Sequence, residues 1–183
     1  MNLNFDEFQK ANQTGGELDD IRIKNFDNFQ KKGFPSKKEE SWKYTDLKTM
    51  LYNNLNKLEV PNNKKTSQYH DEWLLKNFKH NQIILVNGEF VSSTFTFESK
   101  DKIKIKPLRA ILKDKKNFDK IKEFFDDQKN SLTSLNHALF RDGIFLEIED
   151  NYSFNKPLVI YNFFNKSSEN KIINNKCFIS LGK

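Results

Sequence analysis

The dipeptide Asp142-Gly143 divides the chain into two kinds of apolar patterning, and no other feature narrows its possible folds as much. Before it, apolar residues recur mostly at helical spacing, with a hairpin signal among them; after it come three short strand-like runs separated by polar turns. The runs are Ile144 to Ile148 (IFLEI), Leu158 to Phe164 (LVIYNFF) and Cys177 to Leu181 (CFISL), with starts fourteen and nineteen residues apart. In the first, Ile144, Leu146 and Ile148 share a face against Glu147 and Glu149. The second is apolar on nearly both faces, which predicts a strand covered on each side. Three strands do not make a stable closed β-structure alone, and the third is followed only by Gly182 and Lys183. The expectation is an α+β chain: a helical and mixed domain over residues 1–141, then the opening of a larger sheet or solenoid, cut short, over residues 142–183.

Within the first part, Leu18, Ile21, Phe26 and Phe29 fall on one helical face, Gly33 is a natural C-terminal stop, and Pro35 forbids continuation. Ser36 and Glu39 form an S-x-x-E capping box. Thr45 is a candidate N-cap, with Asp46 in the first turn, where negative charge suits the helix dipole, and Leu47, Met50, Leu51, Leu55 and Leu58 as a buried stripe. Trp42 and Tyr44 then fill the corner between two short helices, their polar tips reaching partners. Residues 60–68 read as a loop, and Asp71 to Lys79 as a short helix. Asn87-Gly88 joins two apolar runs and predicts a hairpin, because both central positions of the favoured turn need positive φ. Lys102 to Lys106 (KIKIK) alternates as a half-buried strand; Pro107 ends it and Leu108 to Leu112 begins a helical turn. The stripe of Phe118, Ile121, Phe125, Leu132, Leu135 and Leu139 predicts helix, broken near Asn130-Ser131.

The net charge of +6 raises nucleic-acid binding as an alternative function. Only three of the 31 basic residues are Arg, however (Arg22, Arg109 and Arg141), and the lysines are interleaved with 25 acids. The aromatic residues also sit at core spacing, not alternating with cations as a stacking platform requires. Eighteen Phe supply bulky core material despite a hydrophobic content of 36%. The single Cys177 excludes an intrachain disulfide and fits a reducing compartment. The N-terminal MNLNFDEFQK lacks the apolar run of a signal peptide, and no stretch approaches the ~18 apolar residues of a membrane span. A cytoplasmic protein with no membrane partner is expected.

The chemistry-bearing residues are sparse. Cys177, His70, His80 and His137 are the only soft or borderline metal ligands, and none lie at the close spacings of a zinc or cluster site. Cys177 is in phase with Ile179 and Leu181, which predicts a small buried hydrophobe. Gly15-Gly16 lacks the preceding strand and succeeding lysine of a phosphate loop. Paired acids such as Glu39-Glu40 and Asp126-Asp127 are adjacent, not convergent. The residues thus point to no catalytic, cofactor-binding or metal site, and to a chain that is not an enzyme.

Three stretches carry a resemblance. Gly33 to Leu47 (GFPSKKEESWKYTDL) resembles the N-terminal signature of the SufD family of iron–sulfur cluster assembly proteins, with its Gly-Phe-Pro turn and Trp-Lys-Tyr-Thr. Leu135 to Gly143 (LNHALFRDG), the strand after it and Lys156-Pro157-Leu158 look like the same family's strand entry, and the Val-Asn-Gly hairpin lies between. The related SufB lacks this form of the Trp-Lys-Tyr-Thr signature. The resemblance implies an N-terminal helical and mixed domain leading into a right-handed parallel β-helix, present here as an N-terminal fragment. It further implies a non-catalytic scaffold subunit, with SufB-like and SufC-like (ATPase) proteins as partners and the iron–sulfur cluster handled by the complex. The family's metal-handling residues belong to its later regions, so none transfers to this sequence. Trp42, Lys43, Tyr44, Asn136, Asp142 and Gly143 read as structural, Asp142-Gly143 as a turn into the first strand and Asn136 as a backbone hydrogen-bonder before it.

Overall fold

The computed structural model describes residues 5–54, 69–126 and 130–183. In chain order its elements are α1 (Phe5–Asn12), α2 (Glu17–Lys32), α3 (Leu47–Asn54), β1 (Asn81–Val86), β2 (Glu89–Thr94), β3 (Ile103–Pro107), α4 (Leu108–Ile111), α5 (Lys115–Phe118), α6 (Ser131–Leu139), β4 (Asp142–Ile148), β5 (Leu158–Phe163) and β6 (Asn175–Leu181). They form two compact units that do not succeed one another along the chain. The first takes Met1–Asn62, Asp119–Phe140 and Asn170–Ile172; the second takes Asn63–Phe118, Arg141–Glu169 and Ile173–Lys183. The hairpin and KIKIK strand therefore group with the three C-terminal strands, because β1 pairs with β5 and β3 with β4.

The helical unit is built on phenylalanine. Phe5 and Phe8 of α1, Phe26 and Phe29 of α2, and Leu135, Ala138 and Leu139 of α6 form its core, with Phe34, Leu51 and Ile172 packed against it. Phe5 stacks on Phe26 at 3.9 Å between centroids. Gly33 stops α2 as expected, at φ 70° with its N–H donated to Phe29. Arg22 is buried in the same unit. Its guanidinium donates to the Asn12 and Phe140 carbonyls (2.7 and 3.1 Å) and lies 5.5 Å from both the Phe8 and Phe140 ring centroids. Burial pulls its pKa down to about 10 while the neighbouring Asp19 pulls it up. Asp19 in turn accepts from the Thr14 and Gly15 amides (3.0 and 2.8 Å), closing the turn between α1 and α2.

Several local expectations are corrected. Asp46, not Thr45, caps α3: its carboxylate accepts from the Thr49 amide at 3.0 Å. Glu39 does reach back to the Ser36 amide (3.0 Å), yet it leads into one 3-10 turn over Glu40–Trp42, too short to enclose two large rings. Tyr44 is accordingly 89% exposed, its ring 5.1 Å from the Lys43 ammonium, and Trp42 is only half-buried. Of the α3 stripe, Leu47 and Leu51 are half-buried and Met50 is exposed; Leu55 and Leu58 lie outside the described residues. Asp71 to Lys79 yields a single 3-10 turn over Asp71–Trp73. Ahead of the expected break at Asn130-Ser131 the chain forms a 3-10 turn over Lys122–Phe125 instead of helix, and at that break α6 starts, its N-cap Asn130 accepting from the Leu132 amide at 2.8 Å.

The second unit holds two three-stranded sheets, in the orders β2-β1-β5 and β3-β4-β6. Asn87 (φ 51°) and Gly88 (φ 81°) make the two-residue turn between β1 and β2. β5 runs parallel to β1, from Asn81 opposite Leu158 to Val86 opposite Phe163. β6 runs parallel to β4, from Asp142 opposite Asn175 to Ile148 opposite Leu181. From β4 the chain thus crosses to the other sheet as β5 and returns as β6 beside β4. Ile83, Leu85, Ile103, Ile144 and Leu146 form a shared buried core. β5 is not covered on both faces: it lies at a sheet edge, half-buried, with Asn162 exposed. Its apolar residues reflect a strand with one outward face dressed in aromatics, where Phe163 stacks on Tyr69 at 5.6 Å.

This arrangement separates two aromatics that look equally important in the sequence. Phe26→Ala should lower unfolding free energy by ~3–5 kcal/mol, as for a phenylalanine removed from a packed core. Tyr44→Ala should stay within ~0.5 kcal/mol of wild type, as for an exposed side chain. Urea unfolding monitored by circular dichroism measures both.

Candidate functional site

Buried charge and the residues of the Asp-Gly stretch converge at the entry to β4. Asp142 is 2% exposed. One carboxylate oxygen accepts from the Arg109 amide at 3.0 Å, and the other from the Phe90 amide at 3.3 Å with the Arg109 guanidinium at 3.6 Å. Burial pushes its pKa up, against the Arg109, Gly143 and Phe90 amides and the Arg109 charge. Next to it, Gly143 has φ 146°, and a Cβ there would lie 1.8 Å from the Lys176 carbonyl oxygen. Only glycine lets β6 approach β4 in this register. Arg141 completes the joint by donating to Glu89 at 3.0 Å. Three consecutive residues therefore fix where β2, α4, β4 and β6 meet.

A second polar centre gathers the loops of the sheet unit around Glu98. Its carboxylate accepts from the Asn81 side chain (2.7 Å), the Tyr152 hydroxyl (2.7 Å) and the Asn155 and Lys156 amides (3.0 and 3.1 Å). Burial acts to raise its pKa, but these four donors outweigh it and hold it at about 2. Nothing local in the sequence signals this role, because the partners lie seventeen residues or more away. Arg22 is more legible: with Phe26 and Phe29 it completes an i, i+4, i+7 face.

The candidate ligands go to separate places. His70 is exposed, edge-on to Trp73. His80 is buried, with Nε2 2.7 Å from the Tyr161 hydroxyl; the Leu75 amide donates to that hydroxyl. His137 is buried on α6 with Nδ1 3.2 Å from the Phe125 carbonyl. Asn136 is half-buried, and its main-chain carbonyl accepts from the Phe140 amide at 3.0 Å, closing α6 before the strand entry. Cys177 is not the buried hydrophobe its phase suggests: β6 ends its sheet, and the residue is exposed. Enough of the thiol is enclosed that burial still pushes its pKa up, against a hydrogen bond with the Ile144 backbone, which leaves little thiolate at neutral pH. Among the described residues, no three His, Cys, Asp or Glu side chains are grouped to hold a metal ion. No helix among them is long and apolar enough to cross a membrane. Each Arg is engaged internally: Arg22 with carbonyls, Arg109 with Asp142, Arg141 with Glu89.

A family model described as the SufBD protein N-terminal region matches residues 6–160. That span takes in Asp142, Glu98 and their side-chain and amide partners, and every element from α2 through β4. No curated protein matches the chain.

Two measurements test these centres. Gly143→Ala should destabilise the fold by ~3 kcal/mol or more, or prevent it forming, since both backbone conformation and space oppose a side chain; a denaturation midpoint equal to wild type would contradict the close approach. Glu98 has a folded pKa below its ordinary value of 4.5, so its contribution is present above that value. It is lost as pH falls from there towards about 2. The stability difference between wild type and Glu98→Gln should therefore shrink across that acidic window, read from urea midpoints at each pH.

Proposed function

The chain belongs to the SufB/SufD family, whose work is iron–sulfur cluster assembly, and we propose that it is a SufD-type, non-catalytic subunit of a SufBCD-type scaffold in the cytoplasm. Its partners in this reading are SufB-like and SufC-like proteins, and the cluster is cargo built on the complex, with no cofactor resident in this region. The Gly33-Phe34-Pro35 turn and Trp42-Lys43-Tyr44-Thr45 favour SufD over SufB, because SufB lacks that form of the signature.

One observation carries the architectural half of the proposal. The path from β4 to β5 and back to β6, parallel to β4 and in step from Asp142 to Ile148, is how the first turn of a parallel β-helix is wound. We read β4, β5 and β6 as that turn, with Gly143 permitting the close strand approach. The polar centres at Asp142 and Glu98 have their oxygens occupied by main-chain and side-chain donors, which suits them to holding strands and loops. A nucleic-acid-binding module is the less favoured reading, since the three Arg are spent on internal contacts.

Co-expression of the complete gene product with SufB-like and SufC-like proteins from the same genome should give one co-purifying complex on a sizing column. Three separately eluting proteins would overturn the proposal. Retention on a DNA column that weakens steeply with salt would support the nucleic-acid reading instead.

A further inference from the structure

Asn87-Gly88 is the sequence's one Asn-Gly pair, and the hairpin does not account for all of its surroundings. The Asn87 side chain is held at both ends. Its Nδ2 donates to Asn165 Oδ1 at 2.9 Å and Ser167 Oγ at 3.0 Å, and its Oδ1 accepts from the Asn165 amide at 3.1 Å. The Asn87 amide donates to the Phe163 carbonyl at 2.8 Å. Gly88 is buried, and a Cβ there would lie 2.8 Å from the Ile173 methyl Cγ2.

We infer that Asn87 is a spontaneous deamidation site whose reaction the fold holds shut through Asn165 and Ser167. The chemistry needs no enzyme. The deprotonated Gly88 nitrogen attacks Asn87 Cγ; the new C–N bond closes a five-membered succinimide, and the Cγ–Nδ2 bond breaks, releasing ammonia that carries off a proton. Water then adds to either ring carbonyl and opens it to Asp or iso-Asp. Glycine offers the attacking nitrogen without a side chain to hinder it. In the folded chain, rotating Cγ towards that nitrogen breaks all three side-chain hydrogen bonds. Reaction therefore waits on local opening.

The product does not fit back. Asn165 Oδ1 is held as an acceptor by the Ser167 amide (3.0 Å) and hydroxyl (2.6 Å). A carboxylate at position 87 would set a second acceptor 2.9 Å from it, where a donor now stands. Iso-Asp would add a backbone atom to a two-residue turn whose register is fixed by its length. One opening event that reacts is thus recorded irreversibly at the hairpin joining β1 to β2.

Peptide mass spectrometry with Asp/iso-Asp separation, on the intact chain held at mildly alkaline pH, reads the rate. Deamidation at Asn87 should be about tenfold or more slower in the folded chain than in urea, and Asn87 should lead all other asparagines in urea. Asn165→Ala should speed the folded-state reaction severalfold, and the milder Ser167→Ala should do so less. Equal Asn87 rates in folded and urea-unfolded wild type would overturn the inference, whether or not either variant folds. So would a folded Asn165→Ala variant that reacts at the wild-type rate.

Discussion

The sheet unit depends on one buried carboxylate. Asp142 enters a nearly water-free position, where a charge or an unpaired acceptor is costly. The fold answers with two main-chain amides from elements distant in sequence, Phe90 in β2 and Arg109 in α4, and with the Arg109 guanidinium. Because the donors are backbone groups, satisfying the carboxylate also sets where those two elements stand. Gly143 then brings in β6 by leaving out a side chain. Polar satisfaction and close packing are thus solved by adjacent residues, and the parallel pairing of β4 with β6 results from both.

The helical unit rests on a different solution to the same problem. Arg22 is placed among Phe rings, and its charge is met by two carbonyls and Asp19. The carbonyls belong to the ends of segments, Asn12 closing α1 and Phe140 coming directly after α6. In both units a buried ion is tied to main chain at element boundaries, which specifies topology more than it adds net stability. These charges hold the framework of each unit.

Legibility in the sequence tracks the range of the interactions. The Asn87-Gly88 turn, the KIKIK strand and the Gly33 stop are local signals and appear where the residues put them, whereas Asp142-Gly143, read as a turn, already belongs to β4 and pairs with β6. The apolar spacing across Phe118 to Phe140 suggests more helix than forms, because that spacing survives in a 3-10 turn succeeded by a separate helix. Ring size alone places Trp42 and Tyr44 in a corner, but one 3-10 turn leaves Tyr44 in solvent. β5 looks doubly covered because aromatics on its outward face pack among themselves at the surface. The Glu98 centre is invisible in the sequence, since its partners are assembled only by the fold.

Hydrogen exchange on the folded chain, resolved to individual strands, tests the anchoring role of the β4 entry most directly. The amides of Ile144, Phe145 and Leu146 should be among the slowest of the sheet unit, and those of β6, exposed at its sheet's end, clearly faster. Exchange in β6 as slow as in β4, or a β4 that opens before its neighbours, would contradict the account.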